Sequence, residues 1–503
     1  MTTVEARPAV TERTRGPGTV LACVCACTVL VMGLVAAINL AVPQITAGGL
    51  HPSSSQLLWI VDAYVVVFAC LVIPAGAAGD RFGRKGVLLA GLLTFAAGAA
   101  LAATAPNVPV MLAARALTGL GAALVLPNCV GVLVHATAPE RRGRALAVWG
   151  AVSGMGGLVG NTAGGALLAV GSWRVMFGVV ALTALVFAVW AAMVAAPSAR
   201  SVRRLDPVGT VLLSTATVAL LFGIIEGPEQ GWGSASVVSA FIVGAVLGAV
   251  WIGAELRVSH PLLDPRLFRI PVLSSAGLGM FVTFFGSFGL FFANASLLQY
   301  GRGYSVLAAG LGTLPLAIPL LTGSRRVPDL VRRFGIPAVL TVAFVAISGG
   351  LLGVSTATGL PYPAYAAWLV VVGTGFMLAL PTLSAELTRA LPAEQAGVAG
   401  GLQSATREFG SALGIAVVGT VLTAAFTAHL PAGVRDGHPA PRTVAEALVA
   451  APGQRQAIVE AFATGVGTAL RTAALLTALV GAVVVTVAVR AGRQRSGPTA
   501  GQR

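Results

Sequence analysis

Long apolar runs of about 20 residues follow one another along this chain, separated by short polar breaks. A helix of about 20 apolar residues crosses about 30 Å of hydrocarbon, and in lipid a helix bonds all of its own backbone groups. The pattern therefore predicts an all-α polytopic membrane protein. Fourteen spans are predicted, at 19–43, 57–79, 87–105, 110–134, 145–170, 174–196, 208–226, 237–254, 273–298, 306–322, 338–357, 365–383, 398–424 and 466–489.

Composition agrees with this pattern, because 56% of the 503 residues are hydrophobic and only 10% are charged. The net charge of +15 does not indicate nucleic acid, since the basic residues lie in the breaks rather than in one patch. With the N-terminus inside, 24 of the 32 Lys and Arg residues fall on one side of the membrane. Cations are retained on the cytoplasmic side. We therefore expect a bacterial inner-membrane protein with both termini cytoplasmic.

Two similar tripeptides indicate an internal repeat. Arg81-Phe82-Gly83 follows the second predicted span, and Arg333-Phe334-Gly335 follows the tenth. These positions are equivalent if two six-helix halves flank two inserted spans. The predicted organisation is a tail (1–18), an N-terminal bundle (19–196), an insert (197–272), a C-terminal bundle (273–489) with an outer loop (425–465), and a tail (490–503).

Two loops break the regular alternation of span and short connection. The outer loop is rich in Pro, Gly and Ala, and a short helix is expected at 444–450. The segment 255–271 has an amphipathic pattern that favours a position along the membrane surface. All five cysteines lie in predicted spans and show no metal-ligand spacing, so we interpret them as packing residues.

The break Gly76-Ala-Ala-Gly-Asp80-Arg81-Phe-Gly83-Arg84-Lys85 resembles the signature loop of the major facilitator superfamily. Fourteen spans, with WIVDAY at 59–64 and SWRVMF at 172–177, narrow the resemblance to its drug/proton antiporter branch. Exporters of this kind commonly give self-resistance to antibiotic-producing actinomycetes. The resemblance thus makes puromycin-type and lincosamide compounds candidate substrates, and the preference for Arg over Lys suits a GC-rich genome.

The signature loop (Gly76–Lys85) has the properties of a latch between helices. Gly76 and Gly83 permit close approach and a tight turn, and Asp80 can accept hydrogen bonds from a facing helix end or an Arg. The remaining members of the predicted latch are the cations Arg81, Arg84 and Lys85. The alternative interpretation is that these charges only set topology.

A buried cation and a carboxylate are the first candidates for proton coupling. The stretch that begins at Arg115 resembles a second family motif, in which the Arg is linked to coupling. An Arg in hydrocarbon needs a partner in the bundle interior, and Asp62 lies at nearly the same depth. We predict that the two share a polar pocket and that Asp62 binds and releases the proton. A static ion pair or a snorkelling Arg is the alternative.

The fifth span contains a series of small residues, Gly156, Gly160, Asn161, Gly164 and Gly165. This series resembles the antiporter motif, except that Asn161 replaces the usual proline. Small residues allow helices to pack closely. A further departure is Leu34, which stands where an acidic residue is often found in the first span. Coupling must then depend on carboxylates elsewhere.

Further coupling candidates lie in spans 13 and 7. Glu408, beside Arg407, is near mid-membrane, and Glu226 stands at the outer end of span 7. A conformational-switch pair is the alternative for the first two residues, and an interfacial position is favoured for Glu226. Polar or aromatic residues that are candidates for the substrate pathway, with helix packing as the alternative, are Asn39, Asn128, Phe288, Asn294 and Gln403.

Together these features predict a proton-driven exporter of small amphipathic drugs. The chain has no G-x-x-x-x-G-K-[ST] sequence, so we expect an ion gradient as the energy source, with no cofactor or metal and no catalysis. Its expected partners are a drug, protons and the bilayer, without nucleic acid, and we expect a monomer. The alternatives are proton-coupled uptake of a metabolite, a membrane enzyme and a non-transporting sensor.

Overall fold

The computed structural model describes residues 17–196, 206–258, 265–390, 396–435 and 441–496, and these ranges contain helices and no strand. In chain order the helices are α1 Pro17–Ala47, α2 Ser54–Phe82, α3 Arg84–Ala103, α4 Val108–Ala136, α5 Pro139–Val170, α6 Trp173–Val194, α7 Pro207–Gln230, α8 Ala235–Glu255, α9 Pro271–Ser296, α10 Val306–Leu311, α11 Ala317–Gly323, α12 Val327–Phe334, α13 Ile336–Thr356, α14 Tyr362–Arg389, α15 Ala396–His429, α16 Ala432–Arg435, α17 Val444–Ala450 and α18 Arg455–Ser496.

Thirteen helical segments in the described ranges are long and apolar enough to cross a membrane. This number is one fewer than the fourteen predicted spans. The fifth predicted span lies in α5, a helix of 32 residues. Among the residues of α5 whose side chains the structure describes, Val159–Val170 forms an apolar helical segment shorter than a full span.

The tenth span is a broken helix. Its first part, α10, passes through a 3₁₀ turn at Leu314–Leu316 into α11, and a second 3₁₀ turn, Ser324–Arg326, precedes α12. Pro315 and Pro319 lack a backbone N–H and cannot continue a regular hydrogen-bond ladder. The helix is therefore interrupted at these two prolines.

The connections near the C-terminus are shorter than the sequence pattern indicated. Helix α15 continues to His429 and α18 begins at Arg455, so less of 425–465 is loop than predicted. The expected short helix is confirmed as α17, Val444–Ala450. Thr443 and Glu446 form a capping box at its start, which satisfies two backbone N–H groups there. Helix α18 also extends beyond 489, to Ser496.

The segment 255–271 is only partly described, since 259–264 lie outside the described residues. Pro265–Arg269 forms a 3₁₀ turn with no buried residue, which fits a surface position. Glu255 instead ends α8 and is 2% exposed. Placing this carboxylate in a loop was therefore wrong, because α8 extends one residue past the predicted span and packs Glu255 against α7.

Two six-helix groups, α1–α6 and α9–α15 with α18, meet along two seams. In the first seam α2 packs on α15, and a Cβ on Gly419 would overlap the side chain of Leu58. In the second seam α5 packs on α10, where a Cβ on Gly310 would lie 2.6 Å from the carbonyl oxygen of Asn161. The inserted hairpin α7–α8 packs beside the first seam, since α7 contacts both α2 and α15.

The two repeated tripeptides have the same local structure. Gly83 and Gly335 both adopt positive φ angles, +100° and +81°, and each lies between two helices. Such angles are strained for residues with a Cβ, which explains the glycine in both loops. The guanidinium of Arg81 lies 5.5 Å from the ring centre of Phe82, and that of Arg333 lies 5.3 Å from the ring centre of Phe334.

Candidate functional site

Arg115 and Asp62 both lie in the protein interior, and the side chain of each residue is 0% exposed. The Nε atom of Arg115 donates to the carbonyl oxygen of Ile60 at 2.8 Å, and NH2 donates to that of Val61 at 3.4 Å. Its guanidinium lies 4.8 Å from the ring centre of Tyr64. Arg115 is therefore held against the turn of α2 that carries Asp62.

The two charged groups do not pair directly. The described residues include no ion pair between Arg115 and Asp62, and neither carboxylate oxygen of Asp62 has a hydrogen-bond partner. The NH1 atom of Arg115 also lacks a partner. A buried carboxylate without a partner costs free energy in its charged form, whereas binding a proton removes that charge. Hence the geometry suits a carboxyl group that binds and releases protons.

Tyr64 connects this part of α2 to α1 and α3. Its hydroxyl donates to the carbonyl oxygen of Val31 in α1 at 3.0 Å, and its ring contacts Phe95 of α3 edge-on. Sequence reasoning did not single out Tyr64. The signal was its place in WIVDAY, two residues after Asp62.

The signature loop comprises the last turns of α2, Gly83 and the start of α3, and it lies against α4. Asp80 forms an ion pair with Arg84 within the loop, and Arg84 NH1 also donates to the carbonyl oxygen of Pro127 at 3.5 Å. A Cβ on Gly79 would overlap the side chain of Asn128, and one on Gly76 would lie 3.5 Å from Pro127. The loop thus packs tightly on the Pro127 turn of α4.

Lys85, the last residue of the signature loop, bonds to α6. Lys85 Nζ donates to the carbonyl oxygen of Ala192, near the end of α6, at 2.8 Å. Such a bond satisfies a carbonyl of the last helical turn and is favoured by the helix dipole. The loop therefore connects the ends of several N-terminal helices.

Replacing Asp80 with Asn is expected to impair transport while leaving membrane insertion intact. The substitution removes the carboxylate that pairs with Arg84 and changes no cation. Asp329→Asn is a matched control, because Asp329 pairs with Arg332 at 3.0 Å in the equivalent loop but is 67% exposed. We expect transport assays in vesicles with equal protein content to show a loss for Asp80→Asn only. Equal rates for the parent and both variants would reduce the loop to a topology signal.

The glycines of the fifth span bring α5 against α1. A Cβ on Gly160 would overlap the backbone of Gly33, and a Cβ on Gly164 would lie 2.6 Å from that of Ala37. A Cβ on Gly156 would lie 2.5 Å from that of Met32. These glycines therefore permit direct contact between the two backbones.

Asn161 and Gly165 lie where α5 packs against α10 of the C-terminal half. Asn161 is 4% exposed, and a Cβ on Gly165 would lie 3.1 Å from the carbonyl oxygen of Val306 in α10. The five residues of the series thus serve two interfaces, α1 with α5 and α5 with α10.

The candidates of α15 lie beside α9 and α14. Arg407 lies 5.9 Å from the ring centre of Phe284, and Gln403 accepts a hydrogen bond from the Ser384 hydroxyl at 3.0 Å. Glu408 belongs to α15, but its side chain lies outside the described residues. Its coupling role stays a prediction.

Three asparagines proposed for the substrate pathway are buried. Asn39 Nδ2 donates to the carbonyl oxygen of Val35 at 3.3 Å, while its Oδ1 has no partner among the described residues. Asn128 Nδ2 donates to the carbonyl oxygens of Ala75 and Leu124. The last bond is within α4 and the bond to Ala75 reaches α2, so Asn128 connects these two helices beside the signature loop.

Asn294 belongs to a polar network in the C-terminal half. Its Nδ2 donates to the Thr313 hydroxyl at 3.0 Å, and its Oδ1 accepts from the Tyr365 hydroxyl at 2.5 Å. Both side chain ends are therefore bonded to other helices, which is the arrangement of a residue that connects helices.

Glu226 and Glu386 have partners in the structure. Glu226 Oε1 accepts from the indole Nε1 of Trp59 at 3.2 Å, and Oε2 accepts from Gln230 at 3.0 Å. Glu386 forms an ion pair with Arg389 at 3.7 Å, as the i, i+3 spacing on one helix allows. Sequence reasoning missed Trp59 as a partner because the contact joins residues 167 positions apart.

Comparisons with known proteins agree with this arrangement of motifs and helices. The family model of the Major Facilitator Superfamily matches residues 24–415. The chain belongs to the Major Facilitator Superfamily.

Curated superfamily members similar to the chain include resistance and export proteins. The methylenomycin A resistance protein of Streptomyces coelicolor is 33% identical over 74% of this chain and 79% of its own length. The multidrug resistance protein Stp of Mycobacterium tuberculosis is 32% identical over 78% of this chain and 73% of its own length. The puromycin resistance protein of Streptomyces alboniger is 32% identical over 80% and 82%, respectively.

Solved structures of transporters share the fold at low sequence identity. A bacterial homologue of the human lysosomal transporter Spinster superposes with a TM-score of 0.68 at 16% identity, covering 97% of this chain and all of its own. The peptide transporter PepTSo superposes with a TM-score of 0.65 at 14% identity, covering 96% of this chain and 99% of its own. These similarities establish a transporter fold made of helices.

Proposed function

We propose that this protein exports small amphipathic drugs or antibiotics from the cytoplasm in exchange for protons. The observation that carries the proposal is the buried, unpaired carboxyl group of Asp62 beside Arg115, in a chain whose relatives are named as drug resistance proteins. An intramembrane ionisable residue of this kind indicates a proton pathway. The transport cycle requires no cofactor and no covalent step.

The proposed topology has fourteen spans in the bacterial inner membrane, with α5 as the span beyond the thirteen apolar helices. The signature loop then lies on the cytoplasmic side, because cations are retained there. Asp62 lies near the start of α2, far from that loop, so its end of the bundle is the outer end. Protons would enter the Asp62 site from outside.

An aromatic stripe on α9 is the proposed drug-contacting surface. The rings of Phe284 and Phe288 are 6.2 Å apart between centroids, and those of Phe288 and Phe291 are 5.7 Å apart. Aromatic rings bind flat apolar molecules through large contact areas and stacking. The stripe is only partly buried, so it has free surface to offer.

The stripe shares a side of α9 with a contact to the N-terminal half. Gln299, eleven residues after Phe288, donates to the carbonyl oxygen of Leu40 in α1 at 3.2 Å. Gln299 lies in the π-helical turn Leu297–Gly301, which continues α9. Eleven residues make about three helical turns, so the two side chains project in similar directions. Other sides of α9 contact α15 near Gly414, and α18 near Thr477. The stripe would therefore face the space between the two halves.

Expression in a bacterial host that lacks its own pumps is expected to lower the accumulation of at least one apolar drug. Aromatic rings attract cationic groups and a buried carboxylate favours a cationic partner, so we expect the drug to be amphipathic and cationic. A protonophore should abolish the effect, because it removes the energy source. The measurement is drug accumulation with and without the gene, before and after the protonophore is added. Export that survives the protonophore and requires ATP would contradict the mechanism, and increased accumulation would indicate uptake.

A further inference from the structure

The inserted helix α7 contacts both halves of the protein. On the N-terminal side, Glu226 accepts the hydrogen bond from Trp59 of α2, and the thiol of Cys70 lies 4.0 Å from the carbonyl oxygen of Ser214. On the C-terminal side, the Thr420 hydroxyl of α15 donates to the carbonyl oxygen of Ile224 at 3.1 Å. Helix α7 thus bridges the seam between α2 and α15.

A separate apolar cluster fixes the other end of the inserted hairpin to the C-terminal half. Trp251 of α8 packs there with buried side chains of α9, α14 and α15, and Leu212 and Leu213 of α7 pack against them. The core of this cluster consists of Trp251, Leu273, Ala276, Leu387 and Leu402. Because this attachment is made by several apolar side chains, the hairpin should move with the C-terminal half.

The attachment to the N-terminal half at the outer end is more specific. It depends on the hydrogen bond between Trp59 and Glu226. Trp59 directly precedes Ile60, whose carbonyl oxygen accepts the hydrogen bond from Arg115. A carboxylate accepts this bond without needing a proton, and a glutamine side-chain oxygen can accept it equally. The bond can therefore form and break as the halves separate.

We propose that Glu226 is a positioning residue that holds the outer end of α2 against the C-terminal half when that end is closed. It acts through Trp59 and does not carry the transported proton. Opening the outer end must separate α2 from α15, and the hydrogen bond would break in that step. The inference goes beyond the proposed function, and it relies on that function only for the idea that the halves move.

The test measures opening of the outer end by thiol labelling, without drug or proton gradient. Ala295 of α9 is 4% exposed and lies one turn before Gln299, on the side that meets α1. A single cysteine is placed there as Ala295→Cys, with the five native cysteines replaced by alanine. Labelling by a membrane-impermeant maleimide then reports the open fraction.

Three variants distinguish the effect of losing the Trp59–Glu226 hydrogen bond from the effect of losing the charge of Glu226. Glu226→Leu and Trp59→Phe both remove the bond, and each is expected to raise labelling by about tenfold, as loss of a hydrogen bond to a charged group would. Glu226→Gln keeps an acceptor and should label like the parent. Gln230→Leu is the matched control, because it removes only hydrogen bonds within the inserted hairpin, to Glu226 and Ser236, and should leave labelling unchanged.

Two outcomes would overturn the proposal. Unchanged labelling in both Glu226→Leu and Trp59→Phe would show that the bond does not hold the outer end. Loss of drug-driven proton release in Glu226→Gln with unchanged labelling would make Glu226 a proton carrier instead. A chain that transports no drug can still show the labelling changes, so failure of the proposed function is distinguished from failure of this inference.

Discussion

Drug-driven proton release is expected to fall to the level of protein-free vesicles when Asp62 is replaced by asparagine. The amide has nearly the shape of the carboxyl group but cannot bind and release a proton. Both oxygens of Asp62 are buried without a partner, so the change breaks no described hydrogen bond. Drug binding should therefore be retained. The measurement is proton release in everted vesicles on addition of drug, together with binding of the same drug to purified protein.

Glu408→Gln is the comparison for Asp62→Asn. It makes the same chemical change in α15, in the other half of the chain. If only the Asp62 variant loses proton release, Asp62 carries the proton. Loss in the Glu408 variant alone would move the carrier to α15. Normal release in both variants and in Glu226→Gln would contradict a carboxylate carrier among the three candidates.

A single methyl group at Gly160 is expected to lower both stability and transport. The Cβ of Gly160→Ala would overlap the backbone of Gly33, and backbone cannot move aside as a flexible side chain can. Overpacking of this kind costs about 1–3 kcal/mol. The midpoint of thermal unfolding in detergent and the rate of drug export should both fall.

Gly157→Ala, one turn earlier on α5, provides the control. A Cβ there would lie 3.8 Å from that of Ala36, an ordinary van der Waals contact. Both variants add the same methyl group and lower the flexibility of the unfolded chain equally, so their difference isolates the contact of α5 with α1. Equal unfolding midpoints for the two variants would show that α5 and α1 are not in close contact in the membrane.

Local sequence signals identified the helices because each is a property of one segment. A run of about 20 apolar residues must be helical in lipid wherever it lies in the fold. Short signals also worked. The short helix expected at 444–450 was recognised in this way and is present as α17.

Contacts between residues that are far apart in the sequence could not be predicted from such local signals. Depth along the helices placed Arg115 near Asp62, but it could not show that the guanidinium bonds to backbone carbonyls of α2 and not to the carboxylate. The direction in which two side chains point across an interface depends on helix rotation, and helix rotation depends on packing with all neighbours.

By itself, the sequence determined that this chain is an all-α membrane protein with the major facilitator signature loop and a glycine-rich fifth span. Only the tertiary structure decided that Gly160 contacts Gly33, that Asp80 pairs with Arg84, and that the inserted α7 connects α2 with α15. The physical reason is that hydrophobicity and backbone preference act within one helix. The contacts of the site depend instead on how several helices pack around one another.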